Sequence, residues 1–217
     1  MRKHKEAFII SIEGIDASGK TILSEELKNY LSKKDKIYYN DKIVDRIYNF
    51  NFPNYNGVCG NAIKILLNRK IDIDLRKVLA TLFALDRFIF DYCDSNVPNI
   101  LIFNRYYGSN FAYNFDLGLE WLSGLEKGSY ECDVTFVLDI NPEISFNRRT
   151  DRRDSFEESI DFLSIIRKRY LDLAKQFGWV VLDGAKETGD LVDQVYKHIT
   201  TMNNGISHNG RNGGDII

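Results

Sequence analysis

The sequence predicts an α/β protein in which helices cover a parallel β-sheet. Two observations lead to this prediction. Apolar runs and amphipathic stretches alternate along the 217 residues, which is typical of βαβ units. Hydrophobic residues make up 44% and charged residues 28% of the chain, as in ordinary globular proteins that bury a sizeable core. No internal repeat or second domain is visible, so we expect one domain over residues 1–201.

Five short segments are candidate strands. Four are apolar runs, which indicate strands that are buried on both faces of a parallel sheet, and they cover residues 7–12, 100–103, 134–140 and 179–182. The fifth candidate covers residues 36–40. Residues 45–60 are polar and aromatic and contain a proline, so we predict a loop there.

Helical spacing of apolar residues fills the intervals between these runs. The predicted helices cover residues 20–33, 59–68, 74–94, 162–177 and 189–200. Residues 202–217 are rich in Gly and Asn and poor in apolar residues. We therefore expect them to be disordered or loosely attached.

Charge and cysteine content exclude several classes of function. The net charge of −2 leaves no basic excess, which disfavours nucleic acid as a partner. Cys59, Cys93 and Cys132 are widely spaced without a CxxC pair, which argues against a zinc site or a disulfide framework. The first apolar stretch is too short for a signal sequence or a membrane span. We expect a cytoplasmic protein with no membrane partner.

Residues 14–21, GIDASGKT, match the phosphate-binding pattern G-x-x-x-x-G-K-[ST] in full, between a strand and a helix. Glycines let successive N–H groups converge on a phosphate at the positive end of the helix. Lys20 would supply a mobile charge to the β- and γ-phosphates, and the Thr21 hydroxyl would ligate Mg²⁺. We predict that ATP is bound by Gly14, Ala17, Ser18, Gly19, Lys20, Thr21 and Ile22.

This motif alone does not separate kinases from GTPases, ATPases or motor domains. No guanine-reading NKxD sequence is present. Asn104 and Arg105 follow a buried strand, and the carboxyl ends of parallel strands form the ligand-facing edge of such a sheet. These observations favour a kinase.

Several further segments, in one order, resemble the thymidylate kinase family over about residues 7–200. Besides FIISIEGIDASGKT at 8–21, they are FPNY at 52–55, TLFALDR at 81–87, NRYYGSNFAYN at 104–114, VTFVLDINPE at 134–143, DRRDSFEE at 151–158 and RYLDLAKQFGWVVLDG at 169–184. The resemblance implies a P-loop NTPase fold with a five-stranded parallel sheet, a mobile lid at about residues 148–158 and a homodimer. It also implies ATP and dTMP as substrates.

The resemblance also implies roles for residues of the acceptor pocket. Asp16 matches the acidic residue that meets the sugar 3′-hydroxyl and helps hold Mg²⁺. Phe83 matches the aromatic that stacks on thymine, and Arg87 the arginine that hydrogen-bonds the base. These residue types suit those roles, since a π-face stacks on a base and a guanidinium donates to a carbonyl.

The remaining implied roles belong to the acceptor phosphate and sugar. Arg105 matches the arginine that bridges the donor and acceptor phosphates. Tyr113 matches a ring that crowds the 2′ position and selects deoxyribose, and Asn114 stands where a side chain lies near the base. The acceptor side is completed by Phe52, Pro53, Tyr55 and Ser109.

Periodicity alone would interpret some of these residues differently. Phe83 and Tyr113 would be core aromatics, and Arg87 would lie on a solvated helix face. Phe52 fits either a pocket wall or the core. The ordered set of motifs favours the site for Phe83, Tyr113 and Arg87.

Four arginines between residues 148 and 153 suit a closing lid, because they would neutralise the transferring phosphoryl and exclude water. Ala17 stands where one subgroup of the family has a catalytic arginine. The resemblance therefore assigns the essential arginine to the lid. Arg149 or Arg153 is predicted for that role, with Arg152 left open.

Two site positions depart from the family pattern, besides Ile22 and Leu23, which replace a polar pair after the phosphate-loop Thr. Asn104 replaces a usual Asp, so the predicted metal site of Thr21, Asp16 and Asn104 carries one charge less. Tyr55 stands where many members have Arg. These changes leave open an altered acceptor preference or a reduced activity.

The sequence thus predicts a dTMP kinase, and three alternatives stay open. The first is a deoxynucleoside kinase, with Glu13 as the base for a hydroxyl acceptor. The second is another monophosphate kinase, for dUMP, UMP or CMP. The third is a weakly active nucleotide-binding regulatory protein.

Overall fold

A computed structural model describes residues 1, 6–69, 72–90, 98–148, 159–202 and 205–207. Within these residues, five strands form one parallel sheet and two more form a short antiparallel hairpin. The strands are β1 (Ala7–Glu13), β2 (Tyr38–Tyr39), β3 (Lys42–Ile43), β4 (Arg46–Asn51), β5 (Asn99–Asn104), β6 (Val134–Asp139) and β7 (Val180–Asp183). The order across the sheet is β4-β5-β1-β6-β7, which confirms the predicted α/β fold with five parallel strands.

Eight α-helices are present among the described residues. They are α1 (Lys20–Ser32), α2 (Val58–Leu67), α3 (Ile73–Phe88), α4 (Tyr107–Tyr113), α5 (Leu119–Leu125), α6 (Pro142–Arg148), α7 (Ile160–Phe177) and α8 (Thr188–Thr201). Two 3₁₀ turns, Phe115–Leu117 and Glu126–Gly128, flank α5. In the described part of the chain, no helix combines the length and the apolar character that a membrane span requires.

The hydrophobic core lies on both faces of the sheet because successive side chains of a strand point to opposite faces. In β1, Ala7 and Ile9 join one cluster, to which α3, α4 and α7 contribute. Phe8, Ile10 and Ile12 join the other, to which α1 and α8 contribute. All seven residues of β1 are buried, so the strand that leads into the phosphate loop is the central support of the sheet.

One strand prediction was wrong. Residues 36–40 form no strand of the five-stranded sheet but contribute to the β2–β3 hairpin, and the edge strand of the sheet is β4, inside the predicted loop. The sequence of β4 alternates instead of forming an apolar run: Tyr48 and Phe50 pack on one cluster and Ile47 on the other. An edge strand that is only half-buried gives this weaker signal.

Part of the predicted loose tail is attached. Ile206 is buried, and its N–H donates to the carbonyl of Ile199 at 3.1 Å. Ser207 and Tyr38 exchange two backbone hydrogen bonds of 2.9 and 2.7 Å. Residues 203–204 and 208–217 lie outside the described residues, as do residues 149–158 of the predicted lid.

Candidate active site

The phosphate loop connects β1 to α1 in a conformation that requires glycine at two positions. Gly14 has φ 142° and Gly19 has φ 102°, values that L-residues rarely adopt. A Cβ on Gly14 would also lie 2.7 Å from the carbonyl oxygen of Leu138 in β6. Both glycines of the motif are therefore needed for the shape of the loop.

The Lys20 ammonium lies under this loop and is 5% exposed. Its Nζ donates to the carbonyl oxygens of Gly14 at 3.0 Å and Ile15 at 2.5 Å, and to Ser18 Oγ at 3.2 Å. Buried charge of this kind is stable only when it is hydrogen-bonded. The loop thus holds a positive charge where the motif predicts that a phosphate binds.

A cleft of about 550 Å³ opens beside the loop. Residues 17–23 line one side, and Asn104, Arg105 and Arg148 contribute to its lining. The far side is formed after β7 by Gly184, Lys186, Thr188 and Leu191. These last four were missed in the sequence, although their position after the carboxyl end of a strand is the available signal. The cleft has the size and charge for a nucleotide with its phosphates on the loop.

Asn104 joins three segments at the end of β5. Its Nδ2 donates to Thr21 Oγ1 at 2.9 Å and to Asn51 Oδ1 at 2.7 Å. Its buried Oδ1 has no hydrogen-bond partner among the described residues. A hydroxyl oxygen and an unsatisfied amide oxygen next to a phosphate loop are donors that Mg²⁺ accepts, directly or through water. Thr21 and Asn104 therefore fit a magnesium site.

Arg105 follows Asn104 and bends towards the loop. Its backbone has φ 62°, in the left-handed region that is unfavourable for a residue with a side chain. Its N–H donates to the carbonyl of Ile12 at 3.0 Å, and its guanidinium forms an ion pair with Asp16. The guanidinium also lies 5.9 Å from the centre of the Tyr113 ring. Arg105 is thus held between the phosphate loop and the predicted acceptor pocket.

Glu13 is fully buried directly before the loop and binds the start of α4. Its carboxylate accepts hydrogen bonds from the Tyr106 N–H at 2.8 Å and from Ser109 Oγ at 2.7 Å. Gly108 leaves room for it, since a Cβ there would be 2.8 Å from Glu13 Oε1. This carboxylate fixes the turn that carries Arg105. The Ser109 hydroxyl, predicted to bind substrate, lies against Glu13 and, at 2.9 Å, Tyr170 Oη.

The FPNY segment lies between the sheet and α3. Phe52 is 4% exposed and packs against the rings of Phe103 and Tyr106, with centroids 5.3 and 5.2 Å away, so it belongs to the core. Pro53 is half-buried and Tyr55 is exposed. These two predicted site residues are thus less buried than Phe52.

Asp86 on α3 anchors the FPNY segment and was missed in the sequence. Its Oδ2 accepts a hydrogen bond from the Asn54 N–H at 2.8 Å. Burial raises the pKa of Asp86 above its ordinary value, although the Asn54 hydrogen bond and the Arg87 charge act in the opposite direction. An aspartate inside a helical run gives no separate signal of such a role.

Phe83 and Arg87 lie one helical turn apart on α3 and so share a face. Phe83 is half-buried and, within the described part of the chain, makes no contact with another aromatic ring and belongs to neither core cluster. Arg87 is 2% exposed, so the alternative of a solvated helix face was wrong. Its guanidinium forms a two-pronged ion pair with Glu126, in which Nε lies 3.0 Å from Oε2.

Glu126 is fully buried at the centre of a polar network. It also accepts hydrogen bonds from Asn110 Nδ2 and Ser129 Oγ, each at 2.9 Å. Burial by itself would raise the pKa of Glu126, but the Arg87 charge and these hydrogen bonds outweigh it and lower the pKa. Asn114 Nδ2 extends the network by donating to Asn110 Oδ1 at 2.9 Å. Glu126, Asn110 and Ser129 were not predicted as site residues.

The remaining predicted residues divide into two groups. Tyr113 is half-buried at the end of α4, where its ring contacts those of Tyr170 and Phe162. The predicted lid arginines Arg149 and Arg153, together with Arg152, lie outside the described residues. Arg148, at the end of α6, is described and lines the cleft.

Comparison with known proteins identifies the family to which this site belongs. The thymidylate kinase family model matches residues 12–195. "Probable thymidylate kinase 1" of Saccharolobus solfataricus is 32% identical over 195 residues, with 88% of this chain and 96% of that protein covered. "Probable thymidylate kinase" of Sulfurisphaera tokodaii is 29% identical, with 89% and 96% covered, and that of Sulfolobus acidocaldarius is 32% identical, with 91% and 98% covered. The chain therefore belongs to the thymidylate kinase family of nucleoside monophosphate kinases, which are phosphotransferases.

Proposed function

We propose that this protein transfers the γ-phosphoryl group of ATP to dTMP and so produces dTDP and ADP. The observation that carries the proposal is the ion pair between Arg105 and Asp16. It brings an arginine from the end of β5 to the phosphate loop, on the side that faces the predicted acceptor pocket. Family membership supports the same reaction.

On the donor side, the triphosphate of ATP would lie on the loop with its nucleoside in the cleft towards Lys186 and Thr188. The loop N–H groups and the start of α1 favour negative charge there. Lys20 Nζ now donates to three oxygens of the loop. It would exchange these hydrogen bonds for contacts with the β- and γ-phosphates when ATP binds. Its role is to neutralise charge as the phosphoryl group moves.

On the acceptor side, dTMP would place its base between Phe83 and the polar end of α4. Phe83 offers a half-buried ring face, and Arg87 lies one turn further along the same helix. Asn114 is linked to Arg87 through Asn110 and Glu126. Tyr113 would face the sugar, and Pro53, Tyr55 and Ser109 would surround the rest of the nucleotide. Asp16 would meet the 3′-hydroxyl, and Arg105 would bridge the two phosphate groups.

The chemistry needs positioning more than proton transfer. A phosphate monoester is largely ionised near neutral pH, because its second pKa is about 6, so no general base is required. Catalysis then consists of holding the two phosphates in line and stabilising charge. A lid arginine, Arg149 or Arg153, would complete this and exclude water, which would otherwise hydrolyse ATP.

Magnesium fits beside Thr21 and Asn104, where Oδ1 of Asn104 is a buried acceptor. A magnesium ion held there would supply positive charge that neutralises part of the charge of the ATP phosphates. Asn104 contributes by holding the Thr21 hydroxyl in place through its own Nδ2. Asp16 is the carboxylate within residues 14–21 and would complete the set.

A deoxynucleoside kinase is less well supported. That reaction needs a carboxylate base for a neutral hydroxyl, and Glu13 was the candidate. Glu13 is fully buried and accepts hydrogen bonds from Tyr106 and Ser109, so its carboxylate holds α4 in place.

We further propose that the protein works in the cytoplasm as a homodimer, without a nucleic-acid or membrane partner. The family resemblance supports the dimer. The net charge of −2 offers no basic excess for nucleic acid. The free thiols of Cys59 and Cys132 suit a reducing compartment.

The test is an ADP-release assay with ATP and, in turn, dTMP, dUMP, dCMP, UMP and thymidine. We expect release to be fastest with dTMP. Lys20→Ala should reduce it by about 10²–10³-fold or more, because one charge on the transferring group is lost. The matched control is Lys33→Ala, which removes an exposed lysine at the end of the same helix. Full activity of Lys20→Ala, or release that does not depend on dTMP, would contradict the proposal.

A further inference from the structure

We infer that Glu126 and Asn110 are positioning residues that set the hydrogen-bond polarity of the base pocket and thereby select pyrimidines with a 4-oxo group over those with a 4-amino group. The inference rests on the proposed function, because it concerns the base of the same acceptor nucleotide. It assigns a role to a buried carboxylate that the phosphoryl transfer itself does not use.

The Glu126 carboxylate accepts hydrogen bonds and donates none. Both oxygens of Glu126 are engaged: Oε2 by Arg87 Nε at 3.0 Å and Ser129 Oγ at 2.9 Å, and Oε1 by Arg87 Nη2 and Asn110 Nδ2. Every group that faces this carboxylate must therefore be a donor. An amide that turned its oxygen towards Glu126 would leave buried polar groups unpaired, which is costly in so deeply buried a network.

Asn110 is consequently fixed in one orientation. Its Nδ2 lies 2.9 Å from Glu126 Oε1 and 3.1 Å from the carbonyl oxygen of Ala80. Both of these atoms are pure acceptors, so a flipped Asn110 amide would place oxygen against oxygen twice. Its Oδ1 must face away from Glu126, towards Asn114.

Asn114 is fixed in turn. Because Asn110 presents an oxygen, Asn114 must present its Nδ2, and the two atoms lie 2.9 Å apart. The other end of the Asn114 amide is therefore an acceptor. Among the described residues, none donates a hydrogen bond to this Oδ1.

Arg87 supplies the complementary end of the network. Its Nε and Nη2 are held by Glu126, which leaves Nη1 as the end of the guanidinium away from that carboxylate. No described residue accepts a hydrogen bond from Nη1. One connected network thus ends in a donor at Arg87 and an acceptor at Asn114.

A donor and an acceptor match two neighbouring groups on a uracil or thymine ring. The 4-oxo group accepts a hydrogen bond, and the adjacent N3–H donates one. Cytosine reverses both, with a 4-amino donor beside a bare N3 acceptor. Its binding would leave two polar groups unpaired in a desolvated pocket, which strongly disfavours it.

The experiment measures kcat and KM with dTMP, dUMP and dCMP for the wild type and for Glu126→Gln. A Gln amide must turn one donor towards Arg87, Ser129 or Asn110, so the polarity of the network is no longer fixed. We expect KM for dTMP to rise by about tenfold or more while KM for ATP stays unchanged, and the preference for dTMP over dCMP to fall by at least about tenfold. A purely structural role would change both KM values or neither.

The matched control is Glu120→Gln, which removes an exposed carboxylate on the neighbouring helix α5. If Glu126→Gln does not fold, as judged by circular dichroism, Asn114→Ala removes the acceptor without touching the buried ion pair. It should reduce the preference for dTMP over dCMP in the same way. An unchanged preference in a folded Glu126→Gln or in Asn114→Ala would overturn the inference.

Failure of the proposed kinase activity can be distinguished from failure of the role proposed for Glu126 and Asn110. If the wild type does not turn over dTMP, the proposed function fails and this inference fails with it. If the wild type turns over dTMP and dCMP equally well, or if the variants keep its selectivity, the kinase activity stands and only the role of Glu126 and Asn110 is rejected.

Discussion

At the scale of single residues, Asn104 shows how an uncharged side chain occupies a position where the family usually has a carboxylate. Its Nδ2 ties Thr21 and Asn51 together across the ends of β4 and β5. An aspartate could not donate either of these hydrogen bonds. Compared with an aspartate, the Asn104 amide therefore orders the Thr21 hydroxyl better. It also offers one negative charge less to a bound cation.

The substitution Asn104→Asp tests whether position 104 gains cation affinity at the cost of these two hydrogen bonds. We expect the Mg²⁺ concentration for half-maximal ADP release to fall by about three- to tenfold, because an added carboxylate raises cation affinity. Unfolding in urea should show a lower stability, since both Nδ2 hydrogen bonds are lost at about 1 kcal/mol each. Asn141→Asp is the control, because a carboxylate can equally accept the Glu143 N–H at the start of α6. Unchanged Mg²⁺ dependence would argue against a metal site here.

At the scale of elements, α3 carries both Phe83 and Arg87, so its position would determine the proposed base pocket. The helix begins with Asp72, whose Oδ1 accepts a hydrogen bond from the Leu75 N–H at 2.8 Å. Its far end is held by the buried Arg87–Glu126 pair. Between these two points, Asp86 ties it to the FPNY segment.

Asp72→Ala should lower the free energy of unfolding by about 1 kcal/mol, the usual cost of losing an N-terminal cap. Because the buried end of α3 stays anchored by Glu126, we expect KM for dTMP to change less than twofold. Chemical denaturation and steady-state kinetics measure the two effects. Asp172→Ala, an exposed aspartate in the middle of α7, provides the comparison and should leave stability nearly unchanged. A large rise in KM with Asp72→Ala would mean that the start of the helix also positions the pocket.

The elements that the sequence predicted correctly are those with a strong local signal. Buried runs such as residues 7–12 and 134–140, and the amphipathic α7, were found because their patterns are determined by burial alone. The edge strand β4 was missed because its Asn residues and half-buried aromatics resemble a loop. Its pairing with β5 is a long-range contact that no local pattern contains.

At the scale of the whole molecule, polar groups buried between distant segments decide the geometry of the site. Glu13 joins β1 to α4, and Glu126 joins α3 to α4 and to the turn after α5. The phosphate loop was predictable, because its residues are consecutive and their chemistry depends on the backbone. The partners of Arg87 were not, because Glu126 lies 39 residues away and gives no signal of its own.

The lowered pKa of Glu126 makes stability depend on pH in a defined direction. Such a group contributes stability that is complete above its unfolded pKa of about 4.3 and is lost as the pH falls through the lower folded value. Protonation would leave the Arg87 charge buried without a counter-ion. We expect the stability difference between the wild type and Glu126→Gln to be constant from pH 5 to 7 and to shrink below about pH 4.3. Urea unfolding at each pH measures it, and a difference that grows on acidification would contradict the assignment.

The hydrogen bonds from Arg105 to Ile12 and from Tyr106 to Glu13 fix how far the segment after β5 lies from β1. They fasten the backbone at Arg105 to β1, which leads into the phosphate loop and is the neighbour of β5 in the sheet. Neighbouring strands are spaced by about 4.8 Å, whatever their side chains. The distance between the backbone at Arg105 and the start of the phosphate loop is therefore set by the pairing of β1 with β5. Loops and pocket residues can change without altering this distance between the two backbones.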